Sequence, residues 1–162
     1  MENMSKILIT MESGDVMEAE LYPEKAPITV ENFLKLIEEK FFDGLVFHRI
    51  IEGFMIQGGG YDKNGVHKEC ASIKGEFASN GVDNPIKHER GVLSMARTMI
   101  KDSASSQFFI MHETSPHLDG EYAAFGRITK GIEVVDKIAA VDTDYMDAPY
   151  EAQVIESIRI AE

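Results

Sequence analysis

The sequence predicts a mainly β domain in which a closed antiparallel sheet is capped by two α-helices. Short strand-like runs recur along the chain, turn-rich stretches separate them, and a helical pattern lies near each end. Closing such a sheet removes the exposed strand edges on which other chains could pair. No repeat, low-complexity tract or Pro/Gly/Ser-rich linker interrupts the 162 residues, so we expect one domain over residues 1–162.

The first predicted elements are a hairpin and a helix. The apolar-rich runs KILITM and VMEAEL flank the turn signal SGD, and the second run alternates in the manner of a half-buried strand. The helix is predicted from Pro27 to Glu39, where apolar residues recur at i, i+3, i+4 and i+7 from Val30. Proline suits the first turn of a helix because its missing N–H would be unpaired there.

Six more strands and a second helix are predicted in the rest of the chain. The helix covers Glu133 to Val141, with Val134, Val135 and Ile138 as its apolar face. The clearest turn-rich stretches are 61–68, 79–85 and 98–106, and the predicted strands are 46–51, 54–57, 91–96, 107–112, 123–128 and 153–160.

Charge and cysteine content limit the partners and the compartment. The net charge is −12, which argues against nucleic acid and anionic membrane surfaces because phosphate binding needs clustered Lys and Arg. The single cysteine, Cys70, excludes an intrachain disulfide and suits a reducing cytosol. The N-terminal apolar run is too short for a signal peptide, so we predict a cytoplasmic protein. No apolar helix face is left over, which favours a monomer.

The common catalytic and metal-binding signatures are absent from the sequence. It has no G-x-S-x-G elbow, H-E-x-x-H motif, P-loop lysine or zinc-binding cysteine pair. The five histidines lack metal-ligand spacing, so we expect no metal and no cofactor. We interpret Gly58-Gly59-Gly60 as a flexible turn after a strand, because it lacks the strand–turn–helix setting of a phosphate cradle.

Several short segments acquire meaning only when they are taken together. Singly, Phe54, Met55 and Phe109 would be core residues, and Arg49 would be a surface arginine. FHRI, GFMIQGG, GVLSMA, SQFFI, HLDG and FG, however, occur in the order and approximate spacing seen in cyclophilins. The similarity extends from the first hairpin through YPEKAPITVENF to the last strand. The chain thus resembles a cyclophilin, most closely the small bacterial members.

The resemblance implies a fold and an activity. The implied fold is a closed eight-stranded antiparallel β-barrel with an α-helix closing each end. The implied activity is peptidyl-prolyl cis-trans isomerisation, the rotation of the peptide bond before proline. Its substrates would be proline-containing peptides and unfolded proteins, whose folding it would assist.

The family motifs also imply which residues form the site. Arg49 matches the cationic donor beside the prolyl nitrogen, and Gln57 would orient Arg49 and bond the substrate backbone. Tyr122 stands where many relatives have a histidine, and its hydroxyl can still donate a hydrogen bond. The implied catalytic residues are Arg49, Phe54, Gln57 and Tyr122. The implied substrate-binding residues are His48, Met55, Ala96, Arg97, Thr98, Gln107, Phe109, His117 and Leu118.

The sequence departs from the common family pattern at a few positions. His117 occupies a position where cyclosporin-sensitive eukaryotic members carry tryptophan, so we expect cyclosporin to bind weakly. Arg97 and Thr98 replace a frequent Asn-Ala pair, which should alter peptide preference more than the central chemistry.

Two other functions remain open on the sequence. One is a proline-peptide-binding module or holdase whose turnover is incidental; the presence of Arg49 argues against it. The other is a barrel that binds a small molecule in its interior. The apolar alternation of most strands instead favours a barrel filled by its own side chains.

Overall fold

One antiparallel sheet of eight strands organises the chain in a computed structural model that describes residues 6–161. The predicted domain also includes residues 1–5 and 162, which lie outside the described range. The strands are β1 (Lys6–Met11), β2 (Val16–Leu21), β3 (Leu45–Ile51), β4 (Met55–Asp62), β5 (Val92–Met95), β6 (Phe108–Met111), β7 (Ala124–Lys130) and β8 (Ile155–Ile160); the helices are α1 (Pro27–Glu38) and α2 (Ile132–Ala139).

The sheet curls into a nearly closed barrel. Its strand order is β3-β4-β6-β5-β7-β2-β1-β8, so β3 and β8 are the two ends. These ends meet through an antiparallel bridge between Val46 and Val154, and the Phe47 N–H donates to the Gln153 carbonyl at 3.0 Å. The predicted eight-stranded antiparallel barrel with two helices is confirmed. In the described residues 6–161, no helix is long and apolar enough to cross a membrane.

The structure corrects one local interpretation. Gly58, Gly59 and Gly60 are not a flexible turn, because β4 continues through all three to Asp62. A Cβ atom on Gly58 would lie 2.7 Å from the Val46 carbonyl oxygen of the neighbouring strand. Glycine is therefore present because backbones approach closely there, a known use of glycine within strands. The other predicted elements agree with the observed ones to within a few residues.

Two apolar clusters lie on opposite faces of the same strands. The inner cluster fills the barrel, and in it the Phe33 ring of α1 packs on Phe108 and Phe125 with centroids 5.2 and 5.0 Å away. Alternation along β4, β5, β6 and β7 sends the intervening side chains to the outer face. The buried members of this outer cluster are Met55, Val92, Phe109, Met111, Leu118 and Ala124.

A buried carboxylate connects the long loop after β4 to α1. Helix α1 has no side-chain cap of its own, since residue 26 is alanine. The Glu76 carboxylate accepts hydrogen bonds from the backbone N–H groups of Ile28 (3.2 Å) and Thr29 (2.6 Å). A carboxylate at this position satisfies unpaired donors and complements the helix dipole. The next residue, Phe77, is buried and its ring contacts Arg97 of the site described below.

We predict that Gly58→Ala lowers the free energy of unfolding by about 1–3 kcal/mol, the usual cost of overpacking. The backbone oxygen that the new methyl group meets cannot move away without disturbing β3. Urea denaturation monitored by circular dichroism measures the change.

Gly60→Ala is the matched control, because a Cβ there meets the Gln107 side chain, which can rotate. It should cost less stability than Gly58→Ala. Wild-type stability in Gly58→Ala would contradict the close-approach explanation.

Candidate active site

A small slot with both apolar and polar walls opens on the outer face of β4 and β6. Its volume is about 150 Å³. An engineered apolar cavity of about 150 Å³ in another protein binds benzene, so a five-membered pyrrolidine ring fits a space of this size. The slot is lined by Arg49, Phe54, Met55, Gln57, Ala96, Arg97, Phe109, Leu118 and Tyr122.

A wider groove of about 450 Å³ adjoins the slot. The two share Gln57, Ala96 and Arg97. The other groove-lining residues are more polar, and they include both Thr98 and Gln107. The structure therefore brings together eleven of the thirteen residues that the family motifs implied.

Strand register aligns the main side chains of the slot. Arg49 pairs with Gln57 across β3 and β4, and Gln57 pairs with Phe109 across β4 and β6. The three residues therefore form a row across three neighbouring strands. Met55 lies two positions before Gln57 and points to the same face.

Two hydrogen bonds link the polar residues of this row. Arg49 Nη1 donates to Gln57 Oε1 at 3.3 Å, and Gln57 Nε2 donates to Gln107 Oε1 at 3.1 Å. The side chain of Arg49 is exposed, and no carboxylate within residues 6–161 forms an ion pair with it. Its remaining N–H groups are available to a ligand at the edge of the slot.

Arg97 has a different environment from Arg49. Its guanidinium lies between the rings of Phe77 and Tyr122, 4.7 and 4.8 Å from their centroids. Nε and Nη2 donate to the Glu121 carbonyl at 3.1 and 2.7 Å, while Nη1 donates to the Thr98 carbonyl at 3.0 Å. Arg97 thus lines the slot but directs its donors to the backbone, where it holds Tyr122 in place.

A buried polar group supports the slot from behind. The His88 ring stacks on Phe109 with centroids 6.0 Å apart. Its Nδ1 is 3.2 Å from Asp119 Oδ1, and its Nε2 is 2.8 Å from Ser94 Oγ. Burial lowers the pKa of His88. The residue types match a nucleophilic triad, but Ser94 is 0% exposed and cannot meet a substrate.

Two implied residues lie outside the slot and the groove. His48 packs on Tyr61 with ring centroids 4.7 Å apart, and burial, reinforced by Arg49 and His67, lowers its pKa to about 4. His117 is exposed and stacks on the Phe54 ring at 5.8 Å, at the rim of the slot. His48 follows the residue at which the β3–β4 register shifts, which turns it away from the row of Arg49.

Comparison with known proteins identifies the family. A family model described as cyclophilin type peptidyl-prolyl cis-trans isomerase/CLD matches residues 6–160. The chain belongs to the cyclophilin family. It is thus a peptidyl-prolyl cis-trans isomerase, as the resemblance implied.

Individual relatives agree with this assignment. Peptidyl-prolyl cis-trans isomerase B of Bacillus subtilis is 47% identical over 132 residues, which cover 82% of this chain and 89% of the relative. Isomerase B of Escherichia coli is 38% identical over 161 residues, covering 92% and 95%. A crystal structure of a Cryptosporidium parvum cyclophilin matches with a TM-score of 0.83 and 28% identity, covering 98% of each chain. That protein has also been crystallised in the presence of the dipeptide Ala-Pro.

The supporting residues of the enzyme were missed by sequence reasoning. Phe77, His88 and Glu121 contribute through contacts between segments that are distant in sequence, and Ser94 contributes through its hydrogen bond to His88. Ser94 and Asp119 stand within the quoted motifs GVLSMA and HLDG, which was the only signal available.

We predict that Arg97→Lys lowers the free energy of unfolding by about 1–2 kcal/mol, because lysine cannot reproduce the stacked, forked contacts. The Tyr122 ring should become more mobile, which NMR relaxation of its ring signals would detect. Thermal or urea unfolding measures the stability change.

Arg127→Lys is a matched control, since Arg127 forms an exposed ion pair with Glu89 at 2.6 Å. It should change stability by less than about 0.5 kcal/mol. Equal losses in the two variants would contradict a special role for the Arg97 stack.

Proposed function

We propose that the enzyme holds a proline ring in the slot while Arg49 stabilises the twisted peptide bond before it. The barrier to rotation is about 18–20 kcal/mol, because twisting destroys amide resonance. Twisting also localises a lone pair on the prolyl nitrogen. A fixed guanidinium donor at that nitrogen binds the twisted state better than either planar isomer, which lowers the barrier.

The observation that carries this proposal is the position of Arg49. Its guanidinium lies at the edge of a slot of ring size with apolar side chains opposite it, oriented by Gln57 and without a competing carboxylate in the described part of the chain. Because no bond forms or breaks during rotation, positioning and electrostatics are sufficient. Gln57 keeps a second N–H on Nε2, which can bond the substrate backbone.

We assign the remaining residues to the ring and to the peptide on its N-terminal side. Phe54, Met55, Phe109, Leu118 and Tyr122 surround the ring. Residues preceding proline would lie along the groove, against Ala96, Thr98 and Gln107. The position of His48 against Tyr61 does not support a substrate contact for it.

The first test replaces Arg49. Arg49→Ala should lower kcat/KM for an Ala-Pro-containing peptide by about 10²–10³-fold, the usual effect of removing one donor to developing charge. Arg49→Lys should remain well below wild type because an ammonium lacks the planar fork. A coupled or NMR-exchange isomerisation assay measures the rates.

Arg127→Ala serves as the control, since it removes an arginine that lines neither the slot nor the groove and that forms an ion pair with Glu89. Wild-type rates in Arg49→Ala would refute the mechanism.

The same variant separates the enzyme from a binding module. Arg49 contributes little to the planar ground state in this mechanism, so Arg49→Ala should bind proline peptides within a few-fold of wild type. A holdase with incidental turnover would keep its effect on client folding in this variant. The presence of Arg49 beside the slot favours the isomerase.

We further propose proline-containing peptides and unfolded proteins as the substrates, with assistance to folding as the outcome. The slot and groove are open at the surface, so a flexible segment can enter without threading. A cytoplasmic location, a monomeric state and the absence of nucleic-acid or membrane partners remain predictions from the sequence.

We predict that cyclosporin binds weakly because His117 offers a small polar ring at the rim of the slot. His117→Trp should strengthen binding by about tenfold or more, since indole presents a larger apolar face and an N–H donor. Isothermal titration measures both affinities. His117→Phe is the matched control for ring area without the indole N–H. Equal affinity in His117→Trp and the wild type would contradict the assignment.

A further inference from the structure

The turn between β3 and β4 lies between two residues of the proposed chemistry. Arg49 precedes it on β3, and Phe54 follows it and lines the slot. The Phe54 N–H donates to the Ile51 carbonyl at 2.9 Å and closes the turn. Gly53 has a φ of +83°, in the left-handed region that favours glycine. The position of this turn therefore sets the position of the Phe54 ring.

Packing does little to hold the turn. Glu52 and Gly53 are exposed, and a Cβ built on Gly53 would meet no atom within 4 Å. The Gly53 N–H instead donates to Nδ1 of His112 at 2.8 Å. The backbone N–H of His112 donates to the Phe54 carbonyl at 2.9 Å. His112 thus hydrogen-bonds to the peptide groups on both sides of the Gly53–Phe54 peptide bond.

His112 is itself held by helix α2. Its Nε2 lies 3.2 Å from Asp136 Oδ1, and its side chain is 12% exposed. Arg90 donates two hydrogen bonds to the Asp136 carboxylate, at 2.6 and 2.8 Å. It also donates to the His112 carbonyl oxygen at 3.0 Å. The Arg90 hydrogen bond lowers the pKa of Asp136, which keeps that carboxylate an acceptor.

These partners define the tautomer of His112. A backbone N–H can only donate, so Nδ1 accepts and carries no proton. Nε2 then carries the proton and donates to Asp136. The His112 ring therefore connects a donor on the turn to an acceptor on α2. A neutral imidazole protonated at Nε2 satisfies both partners.

We propose that His112 is a positioning residue that fixes Phe54 in the slot through the Gly53 peptide. The inference rests on the proposed use of the slot for the proline ring. His112 touches no substrate in this arrangement, and its effect on catalysis passes through the turn.

The test compares two substitutions at one position. His112→Phe keeps the ring volume and removes the acceptor, so kcat/KM should fall about five- to tenfold, as the loss of one ordering hydrogen bond implies. His112→Asn places Oδ1 near the position of Nδ1 and should recover most of the activity. Both variants lose the Asp136 contact, so both should lose similar thermal stability.

NMR gives a readout that is independent of activity. The Gly53 amide proton signal should move in His112→Phe and stay near its wild-type shift in His112→Asn. In the wild type, the His112 nitrogen spectrum should show an unprotonated Nδ1.

Two results would overturn the proposal. One is wild-type kcat/KM in His112→Phe when its Gly53 signal has moved. The other is an equal loss of activity in both variants, which would indicate a merely structural residue. Phe54→Ala measured alongside tests the slot itself: full activity there would refute the proposed function, whereas the Gly53 signals would still report on the bond to His112.

Discussion

Burial on both faces of four neighbouring strands is the constraint on which the rest of the structure depends. Strands β4, β5, β6 and β7 contribute alternate side chains to the barrel interior and to a second apolar cluster outside. In β6, all four residues of Phe108–Met111 are consequently buried. A sheet region fixed from both sides cannot shift register without moving apolar residues from both clusters into water. The slot is therefore part of the packed structure rather than a loop added to it.

Burial of the sheet on both faces also determines how polar groups are placed near the slot. A polar atom behind the slot must find a protein partner, because water does not reach it. The buried side chains of Ser94 and His88 hydrogen-bond to each other there, and His88 also bonds to the partly exposed Asp119; the half-buried Arg97 guanidinium is satisfied by two carbonyls and two aromatic faces. Arg49 differs because it lies at the exposed edge, where its donors remain free for a ligand. The same residue type thus has a supporting role at one position and a proposed catalytic role at the other.

The sequence predicted the elements that local residue patterns determine. Both helices and the first hairpin follow from periodicity and turn residues within a few positions, and the slot residues follow from family motifs. The glycines of β4 were misinterpreted because the atoms that crowd them, such as the Val46 carbonyl oxygen beside Gly58, lie on other segments of the chain. The partners of Arg97 and His88 were missed for the same reason, since Phe77 and Asp119 are 20 and 31 positions away in sequence. Contacts of this kind exist only after the barrel has closed.

The two end strands of the sheet are joined less regularly than its inner strands, and this affects the side of the site on which Arg49 lies. β3 pairs with β4 along its length, through a register that shifts twice, but within residues 6–161 it meets β8 through a short irregular contact, so Arg49 lies on an end strand of the sheet. A strand with one continuous partner relies on that partner and on its own turn for position. The Gly53 turn is exposed and unpacked, yet Phe54 must face a slot whose apolar wall, formed by Met55, Phe109 and Leu118, is buried. A misplacement of about 1 Å can cost about 10²-fold in rate, so the side with less packing needs a directional restraint. The two hydrogen bonds between His112 and the turn supply that restraint at the point where packing ends, and Asp136 anchors the His112 ring to α2.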